Sequence, residues 1–241
     1  MPLNGRFVLV LLAALVGAAL TARLGVWQLN RAQGKLDLQA QIDGRGALPS
    51  LPIGELARSA GDAAAQHYRR ISLRGQWLAD RTIYLDNRQM GGHPGFFVVT
   101  PLLLGPGDAV LVQRGWAPRN ALDRTRLPVL ATPTGEVELQ GRVAPPPSQL
   151  FEFGAAESGT IRQNLALDAV AREIGIALRP LSIQQLDAPG AADGLLRQWP
   201  AFAADVGKHQ GYAFQWFALC ALIVGSYAWF QLIRPRRHSA A

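Results

Sequence analysis

Two long apolar segments, one near each end of the chain, are the strongest constraint on how it folds. Residues 212–233 include no Asp, Glu, Lys or Arg over a length of 22 residues. At about 1.5 Å per residue, a helix of that length crosses a hydrocarbon core of about 30 Å. The chain begins in the same way, because residues 7–22 are apolar or small and the run continues after Arg23 to Leu29. The sequence therefore predicts a membrane protein.

The first apolar segment has a second interpretation, because a short basic start before an apolar core is also typical of a cleaved secretory signal. Two features favour an uncleaved anchor: the run continues past Arg23, and Leu20-Thr21-Ala22 is a poor cleavage site. A long side chain such as that of Arg23 can reach the interface from a helix end. We therefore predict transmembrane helices over residues 7–29 and 209–233.

Basic residues near the second helix indicate how the chain is oriented. Arg234, Arg236 and Arg237 follow this helix closely, and such residues favour the cytoplasmic side. Basic residues after the first helix argue for the opposite orientation, but long domains cross membranes largely regardless of charge. The absence of an Arg- and Ser-rich leader favours a bacterial protein over a mitochondrial one. We expect a multi-pass protein of the bacterial inner membrane, with both termini cytoplasmic and the central domain periplasmic.

Charge and cysteine content exclude several classes of function. The net charge is +7, but without five basic residues next to the two apolar segments, nineteen basic residues oppose seventeen acidic ones. The surplus therefore follows the membrane topology and does not form a nucleic-acid-binding patch. Cys220 is the only cysteine, so the chain can form neither an intramolecular disulfide nor a thiolate zinc site. Met1 and Met90 are the only methionines, so copper delivery lacks its usual soft ligands.

Between the two apolar segments, residues 68–77 and 136–143 alternate between apolar and polar residues, as half-buried strands do, and residues 95–104 and 109–116 are apolar strand runs. Residues 136–143 alternate most cleanly and must have one face in water. Helix is sparser: Asp168 is a candidate N-cap and Gly175 a candidate stop for a short helix, and a juxtamembrane helix is expected over about residues 29–42. The expected strands cover residues 68–77, 82–85, 95–104, 109–116 and 136–143.

These patterns predict the fold class. We expect a membrane protein in which two transmembrane α-helices, N- and C-terminal, flank a mainly antiparallel, β-rich α+β extramembrane domain. Its parts are transmembrane helix 1 (7–29), a juxtamembrane helix and linker (30–61), the β-rich extracytoplasmic domain (62–188), a return linker (189–208), transmembrane helix 2 (209–233) and a basic cytoplasmic tail (234–241).

No enzyme motif stands out, and we predict no catalytic activity. The chain lacks a Gly-x-Ser-x-Gly elbow, a His-Glu-x-x-His pair and a phosphate-binding glycine loop. Its four histidines stand at positions 67, 93, 209 and 238. His93 lies in a Gly-Pro turn close to Asp86 in the sequence, so the residues leave open a base–carboxylate pair of an anchored hydrolase or sensor, beside an ordinary loop histidine.

His209 stands where the second apolar segment begins. On a helix, Tyr212 and Trp216 lie near its face at i+3 and i+7, so the imidazole would sit above an aromatic-lined groove at membrane level. A neutral imidazole could bind a haem iron there, with the flat macrocycle against the aromatic rings. An ordinary interfacial belt explains the same residues, because Tyr and Trp concentrate at that depth in membrane proteins. The residues alone leave both interpretations open.

Four stretches of the chain carry a family resemblance. They are Leu24-Gly25-Val26-Trp27-Gln28-Leu29-Asn30-Arg31, the run 95–102 with Val99-Thr100-Pro101-Leu102, Val110-Leu111-Val112-Gln113-Arg114-Gly115-Trp116-Ala117-Pro118, and His209-Gln210-Gly211-Tyr212-Ala213-Phe214-Gln215-Trp216-Phe217. In this order, and over nearly the whole chain, they resemble the surfeit locus protein 1 family. The chain departs from that family in having Gly34 ahead of Lys35, where the family usually has an aromatic residue.

The resemblance implies an assembly factor for haem-copper cytochrome c oxidase that binds haem a and helps deliver it to the catalytic subunit. It implies His209 as the ligand of the haem iron. As a hypothesis, Tyr212 and Trp216 contact the ring or its apolar tail, and Arg23 or Arg31 neutralises the propionates if the two helices pair. The implied partners are the oxidase catalytic subunit and the membrane, with haem a synthase as a further candidate and no nucleic acid.

Arg114 and Trp116 end a predicted strand and allow two interpretations. Trp116 can fill a core and the glycine between them can permit a close backbone approach, which is a structural role. Both residue types are also typical anchors of protein interfaces, so they are candidate contacts to the oxidase. The second interpretation belongs to an alternative function, a membrane-anchored scaffold that stabilises an oxidase assembly intermediate without binding a cofactor.

Overall fold

The computed structural model describes residues 5–123, 125–150, 159–186, 193–199 and 205–234. The chain divides into two compact units, residues 1–40 with 201–241 and residues 41–200. Two parts of the predicted return linker, residues 189–192 and 200–204, lie outside the described residues. So does the predicted basic tail after Arg234.

Both apolar segments form helices, and these build the first unit. The described helices are α1 (Gly5–Gly46), α2 (Ala60–Gln66), α3 (Leu167–Ile174) and α4 (Val206–Tyr227), and a π-helical turn (Ala228–Ile233) extends α4. α1 continues well beyond its apolar part, so residues 29–42 are helical, as expected. By length and composition, α1 and the segment Val206–Gln231 can each cross a membrane. The two predicted membrane helices are therefore confirmed as candidate spans.

One mixed sheet organises the second unit. Its described strands are β1 (Arg70–Trp77), β2 (Ile83–Met90), β3 (His93–Gly105), β4 (Asp108–Pro118), β5 (Glu136–Ala144), β6 (Ile161–Arg162) and β7 (Ala177–Gln185). They lie in the order β1-β5-β7-β4-β3-β2-β6, and β1 also pairs with β3. Only β4–β7 and β2–β6 pair in parallel among these strands. The predicted mainly antiparallel, β-rich α+β domain is confirmed, although the sequence did not reveal β6 and β7.

The pairing of β1 with β3 closes five strands, β1, β5, β7, β4 and β3, into a small barrel. The last two residues of β1 pair with Leu103 and Leu102 of β3. Gly75 makes this close approach possible, because a Cβ at its position would lie only 2.4 Å from the carbonyl oxygen of Leu103. Closure also pairs the end of β1 that would otherwise be an open sheet edge.

β1 alternates strictly between exposed and buried residues and β5 does so over part of its length, as the sequence predicted, whereas β4 is buried over nearly its whole length. Residues 51–57, which precede α2, contribute Leu51 and Leu56 to the same apolar cluster. Burial of this cluster is the main favourable contribution to the stability of the second unit. Its largest members are Leu51, Leu56, Ile71, Leu73, Trp77, Leu102, Leu139, Leu181 and Ile183.

α3 packs beside β2, β3 and β4 through a second apolar cluster that includes Val170. The sequence prediction that Asp168 caps this helix is wrong, because Ala166 is the N-cap and Asp168 lies in the first turn. A carboxylate in the first turn still interacts favourably with the helix dipole, which explains why the sequence signal misleads by two positions. Gly175 ends the helix with φ of 70°, as predicted.

Candidate functional site

α1 and α4 pack against each other in opposite directions along one seam. The Sγ of Cys220 donates to the carbonyl oxygen of Ala18 at 3.4 Å, and the ring centroids of Phe7 and Tyr227 are 6.3 Å apart. The less exposed residues recur at alternating spacings of three and four, which is the pattern of a two-helix seam. They are Ala14, Ala18, Thr21, Gly25, Gln28, Ala32 and Lys35 of α1 and His209, Ala213, Trp216, Cys220, Ile223 and Tyr227 of α4.

His209 belongs to this seam and is held by a residue of the other helix. Its Nδ1 lies 2.8 Å from the side-chain oxygen Oε1 of Gln28. An amide oxygen can only accept, so Nδ1 carries the proton and donates it. In the neutral imidazole, Nε2 then keeps its lone pair, and within the described residues it has no hydrogen-bond partner. The side chain is only partly buried, so His209 offers a nitrogen suited to a metal ion.

A glycine brings the two helices close together near this contact. A Cβ on Gly25 would lie 2.8 Å from atoms of the Phe217 ring, so the aromatic ring packs directly on the backbone of α1. Gly25 and Gln28 are three residues apart and therefore lie on the same side of α1, one turn from each other. The Gly25–Phe217 contact thus sets the separation at which Gln28 meets His209.

The aromatic residues predicted around His209 are both on α4 but in different environments. Tyr212 is 53% exposed, whereas Trp216 is partly buried in the seam. A flat ligand beside His209 could therefore meet Tyr212 without displacing any packed side chain, while contact with Trp216 would require access to the seam.

The two arginines predicted to lie near His209 are not equivalent. Arg31 follows Gln28 by three residues, which places it on the adjoining face about 4.5 Å further along the axis. Arg23 precedes Gln28 by five residues, which turns it about 140° away around the helix. Both side chains are exposed and make no ion pair with any described residue. Of the two, Arg31 is closer to the face that holds His209.

Charged residues at this end of the helix pair are mostly basic. Between residues 28–35 of α1 and 205–212 of α4, Asp205 is the only acid, beside Arg31, Lys35 and Lys208. The Asp205 carboxylate forms ion pairs with Lys208, at 2.8 Å, and with Lys35, at 3.6 Å. The hydrogen bond from Lys208 holds the pKa of the Asp205 carboxyl below its usual range. The surroundings of His209 are therefore net positive and suited to an anionic group.

Arg114 and Trp116 lie inside the second unit, with only 2% and 3% of their surfaces exposed. Trp116 donates its Nε1 proton to the carbonyl oxygen of Arg88 at 2.8 Å. The Arg114 guanidinium lies 4.8 Å from the ring centroid of Trp77 and donates to Thr132 at 2.7 Å. An interface anchor must be exposed before its partner binds, so this burial argues against a direct contact to the oxidase and for the structural interpretation.

The segment 193–199, just before α4, is the reason for this burial. Leu196 forms a bridge with Trp116 through two backbone hydrogen bonds of 2.7 and 2.8 Å. A Cβ on Gly115 would lie 2.8 Å from the Cβ of Leu195, so the glycine is needed for the segment to approach. Asp193 pairs with both Arg114 and Arg197. Burial lowers the pKa of the Arg114 guanidinium, and the charge of Asp193 opposes this. The motif around Arg114 therefore holds segment 193–199 on the barrel strands.

His93 and Asp86 do not form the base–carboxylate pair that the sequence left open. Asp86 lies 3.6 Å from the Arg119 guanidinium and accepts from the backbone nitrogen of Asn87 at 2.7 Å. His93 is exposed and borders an open cavity of about 610 Å³ beside Trp116 and Arg119. Among the described residues, no group of three or more His, Cys, Asp or Glu side chains could hold a metal ion.

Two residues of the site, Gln28 and Gly25, were not assigned a role from the sequence. Both stand in the stretch 24–31 that contributed to the family resemblance. An amide or a glycine in a mostly apolar helix gives no indication of which residue of another helix it will meet. Their position in a helix seam could have been predicted from spacing. Gly25, Gln28 and Ala32 continue the alternating spacing of three and four residues of the small residues before them, which is the pattern of a helix–helix seam.

Fold and site together define a class of protein: two candidate membrane helices that precede and follow a small closed barrel and that pair around a single histidine. The sequence model of the SURF1 family matches residues 15–221, which include all of the described barrel strands and both His209 and Gln28. The chain belongs to the SURF1 family, as the resemblance predicted.

Individual relatives are similar over different lengths. "Surfeit locus protein 1" of Arabidopsis thaliana is 32% identical over 118 residues, which are 45% of this chain and 33% of that protein. "SURF1-like protein" of Rickettsia bellii is 26% identical over 222 residues, which are 90% of this chain and 88% of that protein. "Cytochrome oxidase assembly protein SHY1" of Saccharomyces cerevisiae is 28% identical over 94 residues, 39% of this chain and 24% of that protein. The match thus spans about a third of the Arabidopsis protein and nearly the whole of the Rickettsia bellii one.

Proposed function

We propose that this protein is an assembly factor for cytochrome c oxidase that binds haem a through His209 and helps deliver it to the catalytic subunit. Assembly is supported by membership of the SURF1 family and by the name of the yeast relative, a cytochrome oxidase assembly protein. Haem binding is supported by one observation above all, the hydrogen bond of 2.8 Å that holds Nδ1 of His209 on Gln28 and leaves Nε2 available.

The residues around His209 fit a haem group in three respects. A haem iron supplies a Lewis-acidic centre that accepts a neutral imidazole nitrogen, and Nε2 is such a nitrogen. The exposed ring of Tyr212 offers an apolar face beside it. The net positive charge at this end of the helix pair suits a group that carries carboxylates, and Arg31 is the arginine whose position lets it donate charge-assisted hydrogen bonds to them.

Each residue has a distinct task in this proposal. His209 binds the iron, Gln28 orients the imidazole, and Arg31 neutralises carboxylates at the membrane surface. Trp216 packs in the seam two turns along α4 from His209, and Arg23 lies on another face of α1, so Arg31 is the arginine proposed for the carboxylates. No proton transfer or covalent step is needed, so the proposed role is binding and transfer without catalysis.

A protein that hands its ligand on must also release it. His209 is the only histidine in the described part of the helix pair, so the proposed site has a single imidazole ligand. Its ring is partly exposed at the end of a two-helix pair and is not enclosed in a core. A single ligand at an open site binds more weakly than two ligands in a closed pocket, which suits transfer to a second protein.

The proposed location is the bacterial inner membrane, with the barrel unit on the periplasmic side and both chain ends in the cytoplasm. It is supported by the basic residues that follow α4, since Lys and Arg near membrane helices favour the cytoplasmic side. This orientation puts His209 at the periplasmic end of α4. The test labels Gly5→Cys and His93→Cys, each combined with Cys220→Ala so that one cysteine remains. Only the cysteine at position 93 should react with an impermeant thiol reagent added from the periplasmic side.

The haem proposal is tested with the full chain, purified in mild detergent from cells that make haem a. We expect the parent to show a haem a absorption spectrum and extractable haem a, and His209→Ala to lose both. His93→Ala is the matched control, because it removes an exposed histidine of the barrel unit, and it should keep the spectrum of the parent. A folded but colourless parent would contradict cofactor binding and favour the scaffold alternative, as would a His209→Ala variant that keeps its haem.

A further inference from the structure

The contact between Gln28 and His209 joins two residues that are 181 positions apart in the chain. Both belong to the seam between α1 and α4, and both are partly buried there. One turn away, the Phe217 ring packs on the backbone of Gly25 and limits how far the two helices can separate. The amide of Gln28 is therefore placed against His209 by the packing of the helices.

The chemistry of this contact decides which ring nitrogen is free. An amide oxygen accepts the Nδ1 proton and leaves the lone pair on Nε2, whereas an amide nitrogen in the same place would donate to Nδ1 and force the proton onto Nε2. Only the first arrangement lets the outer nitrogen bind a metal ion. Protein groups that hold the second nitrogen of a ligating histidine set its tautomer and its basicity.

We propose that Gln28 is the positioning residue of this site: it fixes His209 in the Nδ1–H tautomer and directs Nε2 to the ligand. The inference rests on the proposed function for the identity of that ligand, but the tautomer itself is a property of the protein alone. A neutral amide also makes the imidazole a weaker donor than a carboxylate partner would. Gln28 thus prepares His209 to bind while raising its basicity less than a carboxylate would, which suits a ligand that must be released.

The first test measures the tautomer without any haem. The full chain, labelled with ¹⁵N-histidine, is purified in detergent without haem, and its imidazole nitrogens are recorded by NMR in alkaline buffer, where histidines are neutral. The signals of His209 are identified by their absence in His209→Ala. We expect the parent to carry the proton on Nδ1, Gln28→Glu to keep it there, and Gln28→Leu to lose this preference.

Gln33→Leu is the matched control, because Gln33 lies on the same helix, is exposed, and donates to Asp37 at 2.8 Å rather than to His209. It should leave the tautomer unchanged. A parent with the proton on Nε2 would overturn the inference, and so would a folded Gln28→Leu variant with the parental tautomer. Gln28→Glu keeps the length and the acceptor oxygen, so it also decides the question if Gln28→Leu fails to fold: a Gln28→Glu variant protonated on Nε2 would overturn the inference as well.

The second test adds haem a to the same proteins and separates this inference from the proposed function. We expect the haem affinity of Gln28→Leu to fall by about 10–100-fold, the usual cost of losing such a partner, and Gln28→Glu to bind at least as tightly as the parent. If the tautomer depends on Gln28 but the parent takes up no haem, the positioning role stands and the proposed function fails. If His209→Ala loses haem while Gln28→Leu keeps the parental affinity, the proposed function stands and the inference is overturned.

Discussion

The buried ion pair between Arg179 and Asp108 gives a quantitative prediction for the barrel unit. Nε and Nη2 of Arg179 each donate to one oxygen of Asp108 at 2.7 Å. The Arg179 side chain is 6% exposed and that of Asp108 is 24% exposed. Asp108→Asn keeps one acceptor oxygen but removes the charge, so the buried guanidinium keeps hydrogen bonds to that oxygen and to the Leu56 carbonyl and loses its counter-charge.

Removing one partner of a buried pair costs about 3–5 kcal/mol, because the other charge stays buried without compensation. We take the lower end, about 3 kcal/mol, since Asp108 is partly exposed and the amide still accepts one hydrogen bond. For a unit of this size, about 3 kcal/mol lowers the melting temperature by roughly 6–12 °C. The assay is thermal unfolding of the full chain in detergent, followed by tryptophan fluorescence.

Glu138→Gln is the matched control for this substitution. Its ion pair with Arg74 spans two strands in the same way, with N···O at 3.3 Å, but its two side chains are 67% and 62% exposed. Exposed pairs contribute about 0–1 kcal/mol, so the control should lower the melting temperature by less than about 4 °C. Equal shifts for Asp108→Asn and Glu138→Gln would refute the reasoning from burial.

The same pair predicts a dependence on pH. The hydrogen bond from Arg179 holds the pKa of the Asp108 carboxyl below its usual range, against the opposing effect of burial. Because the folded pKa is the lower one, the stabilisation is fully present above the unfolded value of about 3.9 and is lost as the pH falls through the folded pKa. The difference in melting temperature between the parent and Asp108→Asn should therefore stay constant from about pH 7 to 5 and shrink below about pH 4. If the difference in melting temperature shrank as the pH rose, the predicted direction of the pH dependence would be wrong.

Two further substitutions test other contacts. Gly25→Leu should destabilise the helix pair by about 1–3 kcal/mol, because the new side chain must displace the Phe217 ring. Unfolding by added SDS measures this loss of stability. Gly34→Leu is the control, because a Cβ on Gly34 meets nothing within 4 Å. Equal midpoints for the two variants would contradict the close packing of the seam. Trp116→Phe keeps an aromatic ring but leaves the buried Arg88 carbonyl without its donor, at a cost of about 1–3 kcal/mol in thermal unfolding. An unchanged melting temperature would show that this hydrogen bond contributes little.

The elements of this chain follow closely from local patterns in its sequence. Residues 212–233 lack charge and are long enough to cross a membrane, so their helix is predictable without knowledge of the rest of the fold. The five segments expected to be strands became β1 to β5, although β2 continues further than expected. Residues 68–77 and 136–143 were recognisable because side chains in a half-buried strand alternate, and residues 95–104 and 109–116 because they are apolar runs. β7 was missed because Arg179-Pro180 interrupts its apolar pattern, and β6 because it has only two residues.

The candidate site was predictable only in part. His209 was identifiable because it stands next to aromatic residues at the start of an apolar segment, and these are features of neighbouring positions in the chain. Arg114 and Trp116 were ambiguous, because a buried Trp and an exposed anchor have the same local sequence. Their burial depends on residues 193–199, which return to the barrel from a distant part of the chain.

The sequence by itself determined the two apolar helices, the β-rich composition between them and the position of the histidine, because each depends on periodicity and on residue type within one segment. Only the tertiary structure decided that β1 closes onto β3, that Trp116 is covered, and that Gln28 meets His209. These features depend on the register between segments far apart in the chain. Register is set by the packing of many side chains at once, at positions such as Gly25 and Gly75, and no single segment contains that information.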